Sequence, residues 1–358
     1  MGFLKGAVTC RRYTVEGGEL AGDVDLSEMV QKLSKRSFHK PISLEADGGY
    51  PHYGWCGNAD PADDRFDGEL MVRGPFVCFS LRVTKLVIPQ AEVAARARQE
   101  LEAMALGRPA RPQDRRDAAR IAKEAMAEEA RATGKWLKKA VVPCCYDSER
   151  RHLWLGTHSH SVEAGFAALV MDSFGSAVKV IDLVSNFGEA CPPGPVADWL
   201  GDAEAANGWG NVWAAEAVRR GADESVPLDT SFDWPSEGAV VKLVPRRTLT
   251  VRCPLGQKGL DRFDHELPYQ VPELTDAFRD GKRPTVMGLD FSGDLGTGED
   301  VLVPFSFVPH LLAVSAAGIP KSDAKSRAEG ELDRLYRTRR FLDLVDGVVV
   351  GYARRHLS

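Results

Sequence analysis

Several kinds of signal are missing from this sequence. No CxxC spacing occurs among the seven cysteines, Cys10, Cys56, Cys78, Cys144, Cys145, Cys191 and Cys253. They are odd in number and scattered, so neither a disulfide framework nor a zinc ribbon is indicated. No apolar run approaches the about 18 residues needed to cross a bilayer. The opening MGFLKGAVTCRRYTV has no sustained apolar run and no cleavage site, so it does not read as a secretory signal. The expected compartment is a reducing cytoplasm, with no membrane partner.

Enzyme signatures are equally scarce. There is no GxxxxGKS/T, no GxSxG and no HExxH. Gly293, Gly296 and Gly298 lie between two expected strands, which suits a hairpin turn and not a phosphate cradle. Asp290, Ser292 and Asp294 are spaced like a calcium loop, but the sixth-position glycine and twelfth-position glutamate are absent. Cys144, Cys145, His152, His158 and His160 are the best zinc candidates by ligand chemistry. Adjacent cysteines point to opposite faces of a strand, however, so packing is the preferred reading. The sequence therefore indicates no catalytic residue, no metal site and no cofactor, and a zinc-dependent enzyme is the remotest alternative.

What is present is an ordinary globular composition, with 44% apolar and 27% charged residues and a net charge of −5. At 358 residues the chain is long enough for two or three domains. An acidic surface of this kind does not bind nucleic acid indiscriminately, so any such binding requires local clustering. One stretch supplies it. Residues 108–139 contain ten Lys/Arg and five Asp/Glu, a balance of +5, and the remainder sums to −10. Its cations are Arg108, Arg111, Arg115, Arg116, Arg120, Lys123, Arg131, Lys135, Lys138 and Lys139. At about 100° per residue, Arg116, Arg120, Lys123 and Arg131 fall within roughly 80° of one another. Ala118, Ile121, Ala122, Ala125, Met126 and Ala130 form the opposite face. Pro112 suits the first turn and Gly134 the stop, so an amphipathic helix with a basic stripe is predicted. The simpler alternative is a solvated face with weak pairs such as Arg120 with Glu124.

Patterns along the chain place this helix. A first strand is expected within Phe3 to Val15, and a helix capped by Asp25 or Ser27 runs to Lys35. Glu69–Arg73 and Phe76–Val87 read as strands joined at Gly74-Pro75. In the second, Val77, Phe79 and Leu81 share one face and Arg82 lies near the other. Pro89 opens a helix to Met104. Ala140–Cys145 and His152–Leu155 read as a strand pair, Ser161 as the cap of a helix ending at Phe174-Gly175, and Val178–Leu183 as a strand. Pro192–Pro235, with four tryptophans, reads as an insertion. Val240–Val251 is expected to be a strand pair, Met287–Phe291 and Val301–Phe307 a hairpin, and Arg327–Arg355 a helix packing through Leu332, Leu335, Leu342 and Leu344. The fold class is α+β, with antiparallel sheets and flanking helices. The expected division is 1–88 as a central sheet completed by about 176–185, 89–175 as a protruding helical tip, and 186–358 as a C-terminal α+β region.

The order FLKGAVTCRRYTV, YGWCG, FSLR, a Pro-initiated helix, LxxxxxGRPARPQDRRDAARIAKEAM and LWLGTHSHSVEAGFAALVMDSFG resembles the RdgC family of bacterial recombination-associated DNA-binding proteins. The resemblance spans roughly Gly2 to Leu183 and leaves the C-terminal half without a transferred role. It implies a homodimer that closes into a ring with a basic inner surface around duplex DNA, binds with little sequence preference and restrains RecA. Carried over, it implies DNA contacts at Arg108, Arg111, Arg115, Arg116, Arg120 and Lys123, with Arg82 and Lys85 on the preceding strand. Arg131, Lys135, Lys138 and Lys139 join the candidates as further cations of the basic stretch. The alternative function is an interaction scaffold whose basic helix meets an acidic partner.

Overall fold

The computed structural model describes residues 2–45, 49–57, 62–105, 108–181, 241–252, 260–265, 271–280 and 282–356. In chain order the strands of the N-terminal half are β1 (Val8–Glu16), β2 (Ile42–Ser43), β3 (His52–Cys56), β4 (Val72–Arg73), β5 (Phe76–Leu86), β6 (Leu137–Asp147), β7 (His152–Leu155) and β8 (Ala177–Val180). Those that follow are β9 (Lys242–Arg252), β10 (Leu260–His265), β11 (Arg283–Asp294), β12 (Asp300–Val308) and β13 (Ala313–Ala317). The helices are α1 (Leu26–Lys35), α2 (Gly68–Met71), α3 (Gln90–Ala105), α4 (Pro112–Thr133), α5 (His160–Phe174), α6 (Pro272–Arg279) and α7 (Arg327–His356). The class is α+β, with the strands paired antiparallel in the order β10-β9-β11-β12-β13-β1-β7-β6-β5-β3-β2. Among the described residues no helix is long and apolar enough to cross a membrane.

Strand β1 joins two parts of this sheet. One edge pairs Arg11–Thr14 with β7. The other edge meets β13 at Val8 and Cys10, then β8 from Tyr13 to Glu16. Neighbouring residues on a strand face opposite ways, and β1 uses this twice. Arg11 turns to Glu163 of α5. Arg12 turns to Asp346 of α7, making two hydrogen bonds of 2.6 and 2.5 Å to its carboxylate.

Two apolar cores follow from the same alternation. Val77, Phe79, Leu81 and Val83 of β5 pack with Tyr53, Trp55 and Phe166 on the side covered by α1 and α5. Phe76 and Cys78 of β5 face the other core, with Cys145, Trp154, Phe305 and Phe341. There α7 supplies Leu335, Leu342, Leu344 and Val345, with Leu332 packed at the edge. Arg334 is buried in α7 and donates to the carbonyls of Phe3 (3.1 Å), Ile319 (2.8 Å) and Gly6. The helix is thus fixed to the start of the chain by polar as well as apolar contacts.

Most of the elements read from the sequence are present, and the departures have local causes. Glu69–Arg73 is not one strand. Asp67 caps the short helix α2 by accepting from Glu69 N, which buries Met71, and only Val72–Arg73 is extended. Helix α5 starts after Ser159, two residues before the expected cap Ser161. Val240–Val251 is not a strand pair, because Lys242–Arg252 continues as β9 and finds its partners in β10 and β11. Residues 137–174 do not belong to a helical tip. The apolar alternation of Val142, Cys144 and Tyr146 returns β6 to the sheet, and α5 covers it. The Trp-rich insertion, Leu183, Cys191 and Cys253 lie outside the described residues.

The hairpin of β11 and β12 forms as expected, closing at Asp294 opposite Asp300. The carboxylate of Asp294 accepts from the N–H groups of Gly296 (2.8 Å), Thr297 (2.7 Å) and Gly298 (3.0 Å). An acid of the chain itself fills the position a phosphate would need.

Two outcomes test this account. Asp346→Ala leaves Arg12 buried without its anion, and breaking such a pair costs about 3–5 kcal/mol; chemical denaturation should show that loss. His152 is held down to about 4 by burial and by the Arg12 and Arg150 charges, against the opposing Asp346. The unfolded chain takes up that proton near 6.5, so stability should fall as pH drops from about 6.5 to about 4. Burial raises Asp147 and Asp343, which act in the opposite sense. The difference between the unchanged chain and His152→Gln therefore isolates the histidine, and between about pH 6.5 and about pH 4 the unchanged chain should lose stability relative to the variant.

Candidate nucleic-acid interface

Helices α3 and α4 are inserted between two paired strands. The β5–β6 ladder runs from Phe76 opposite Asp147 to Leu86 opposite Leu137. One further bond, Val87 N–H to Trp136 O at 3.0 Å, closes it where the helices leave and return. Helix α4 has the signals its sequence suggests. Pro112 occupies the first turn, Asp114 accepts from Arg111 N–H at 2.9 Å, and Gly134 is left-handed at φ 74° with its N–H on Ala130 O. The buried residues are Ala118, Ala122, Met126 and Ala130, four apart, with Ile121 and Ala125 half-buried. Helix α3 packs against α4 and buries Val93 and Ala105, with Ala97, Leu101 and Met104 half-buried. Small side chains on α4 let two helices approach with little apolar area between them.

The basic stripe lies away from that seam. Arg116, Arg120, Lys123 and Arg131 are all exposed. Arg120 pairs with Glu124 at 3.0 Å, one turn on, and both side chains are about 60% exposed, which leaves the pair weak. Arg116, Lys123 and Arg131 have no carboxylate partner among the described residues. Arg111 and Arg115 are exposed at the start of the helix, where Arg115 is turned about 100° from Arg116.

The six other candidates have different placements. Arg108 forms a bidentate pair with Asp114, at 2.6 and 3.1 Å. That hydrogen-bonded pair raises the Arg108 pKa and, with the Arg111 N–H, lowers Asp114 to about 2. Lys135 lies between Glu129 (3.4 Å) and Glu92 (3.8 Å) and sits 4.0 Å from the Trp136 ring. Arg82 is half-buried with its guanidinium 4.1 Å from the Phe38 ring, and burial lowers its pKa. Lys85 is opposite Lys138, so both project on one face of the ribbon, whereas Lys139 opposite Thr84 shares the other face with Arg82. The candidates therefore do not all share one face of the ribbon. Arg108 and Lys135 are locally compensated, and Arg82 is packed on an aromatic ring.

Two residues were not identified from the sequence. Arg98 is exposed on α3 and has no carboxylate partner among the described residues, and nothing in its local pattern distinguishes it from a solvated charge. Trp136 donates from Nε1 to Glu92 at 3.0 Å and has φ 60°, a conformation few bulky residues adopt. The zinc candidates are dispersed. Cys144 and Cys145 enter opposite cores, His158 Nε2 meets Ser315 Oγ at 2.7 Å, and His160 is exposed beside Glu163.

The first turn of α4 depends on one acid. Asp114→Ala should fray residues 112–116, read as faster amide hydrogen exchange there and unchanged exchange in β5 and β6. Because Asp114 is depressed to about 2, acid should reproduce this fraying only as pH falls from about 3.8 through about 2. No protein-family model matches the chain, and no curated protein matches it.

Proposed function

We propose that this chain is a sequence-independent DNA-binding protein of the RdgC type, with no enzymatic step of its own. In this reading α4 lays its stripe along the phosphates of a duplex. The observation that carries it is a set of three exposed cations, Arg116, Lys123 and Arg131, on one flank of a 22-residue helix with no carboxylate neutralising them among the described residues. Arg116 and Arg131 are separated by about 22 Å of helix, at 1.5 Å per residue. A duplex carries one phosphate charge per about 1.7 Å of axis, so this span faces many phosphates and releases counterions without reading bases.

Dimerisation would double the stripe and let an acidic protein turn only its basic surfaces inward. A protruding helix pair and ring closure around duplex DNA belong to this proposal. So do the restraint of RecA by occupation of the duplex and a place in recombination, replication or nucleoid organisation. Lys85 and Lys138 extend the basic surface along the ribbon. A scaffold that meets an acidic protein through the same cations is the competing reading, and it requires no affinity for random duplex at physiological salt.

The test is a titration of random-sequence duplex against the full chain. Reversing Arg116, Lys123 and Arg131 to Glu should abolish binding with the thermal transition unchanged. Substituting the three by Ala should reduce the slope of log affinity against log salt by about 0.9 per contact. Arg108→Ala should change affinity little, since that charge is already held by Asp114. Unaltered duplex affinity in the triple reversal would remove the helix from the mechanism.

A further inference from the structure

A second surface lies on the sheet face that carries Arg82 and Lys139. On β3, Tyr53 and Trp55 enter the α1/α5 core and are 1% and 0% exposed, so His52 and Gly54 point the other way. The register sets His52, Thr84 and Lys139 in one row across β3, β5 and β6, and Gly54, Arg82 and Val141 in the next. Gly54 has no side chain for a visible reason. The Phe38 backbone crosses above it, and a Cβ there would lie 2.5 Å from Phe38 Cα. Phe38 is fixed in that position by its N–H on Trp55 O at 2.8 Å.

The rings of this region are not core. Phe38, Tyr50 and His52 are half-buried and His39 is exposed. They form two ring pairs. Tyr50 stacks on His52 with centroids 4.2 Å apart and planes 30° from parallel, and Phe38 meets His39 at 4.2 Å. Arg82 lies over Phe38 and Lys139 is exposed one row away. Asp64 stands at the rim, 3.5 Å from His39.

We propose that this face, with Tyr50, His52, Phe38, Arg82 and Lys139, is a platform for single-stranded nucleic acid. Unpaired bases stack on the outer side of the Tyr50–His52 pair, and Lys139 meets a flanking phosphate. Arg82 keeps its place on Phe38 and adds positive potential. Bases inside a duplex are stacked on one another and offer no free face, so the platform selects unpaired strands. Stacking on aromatic rings tolerates any base, which predicts affinity without sequence preference. The inference shares only its ligand class with the duplex reading, and its key rings are separate from the stripe of α4.

The experiment measures anisotropy of a labelled thymidine oligomer of about twelve nucleotides, within the range of known single-strand site sizes, and of a random duplex of the same length. Tyr50→Ala and His52→Ala should each weaken the oligomer by about tenfold, leave the duplex within twofold, and keep the thermal transition. Tyr50→Phe should retain oligomer binding, because the ring remains. If Tyr50→Ala does not fold, His52→Ala and Lys139→Glu decide the matter. Three results overturn the proposal: folded ring variants that hold the oligomer as tightly as the unchanged chain, oligomer and duplex affinities that fall together, or no oligomer binding by the unchanged chain. Failure of the duplex reading appears separately, as duplex binding that survives reversal of Arg116, Lys123 and Arg131.

Discussion

The fold depends on a single strand being held from both sides. Arg11 and Arg12 are consecutive, so the pleat sends one guanidinium to α5 and the other to α7. Each meets a largely buried carboxylate, and neither charge can be left alone at that depth without a cost of several kcal/mol. The two pairs therefore act as a test of assembly. Helix α7, at the far end of the sequence, must dock before Arg12 is satisfied, and α5 must dock before Arg11 is. The apolar contacts agree with this, because the core against α7 takes Phe3, Val8 and Cys10 from one end of the chain and Phe341 and Val345 from the other. A division into independent N-terminal and C-terminal units does not describe such a core.

That rigidity reaches the basic helix through the β5–β6 ladder. The same two strands that are buried on both faces near Phe76 and Cys145 emerge with Lys85, Lys138 and Lys139 exposed at their far end. Pairs of like charge directly opposite one another, as Lys85 and Lys138 are, work against the sheet. They are tolerable where water screens them and favourable where an anion bridges them. Beyond them α3 and α4 are joined through a thin, alanine-rich seam. The basic stripe thus rests on two helices that bury few large side chains, carried by a ribbon whose register the sheet fixes.

Local pattern made much of this readable, and long-range pairing made the rest unreadable. The four-residue spacing of Ala118, Ala122, Met126 and Ala130 announces the packed side of α4, and Gly134 announces its end. The alternation in FVCFSLRV separates Val77, Phe79 and Leu81 from Arg82. By contrast, Arg12 and Asp346 are 334 positions apart, and no spacing rule joins them. The fate of the candidate cations divides the same way. Arg108 resembles Arg116 in sequence, but Asp114 folds back as a helix cap and claims it. Arg82 sits on a strand as expected, yet Phe38, from a loop far upstream, covers it. On β3 the same alternation buries Tyr53 and Trp55 and turns His52 outward.

The acidic balance of the chain does not contradict a basic surface, and the length scale explains why. At physiological ionic strength a charge is felt over about 8 Å, so the −10 carried outside residues 108–139 is largely invisible to an anion touching α4. What decides the local potential is which carboxylates lie within that distance. Glu124 and Glu128 flank the stripe, and only Glu124 is engaged with one of its cations, Arg120. Three of the four cations keep their charge available, and the fourth shares it through a solvent-exposed pair worth under about 1 kcal/mol. A phosphate competes for Arg120 on favourable terms, because a polyanion offers a field from many charges where Glu124 offers one. Net charge then acts elsewhere. It repels polyanions from the remaining surface, so that an approaching polyanion is directed to the few faces where cations have been gathered.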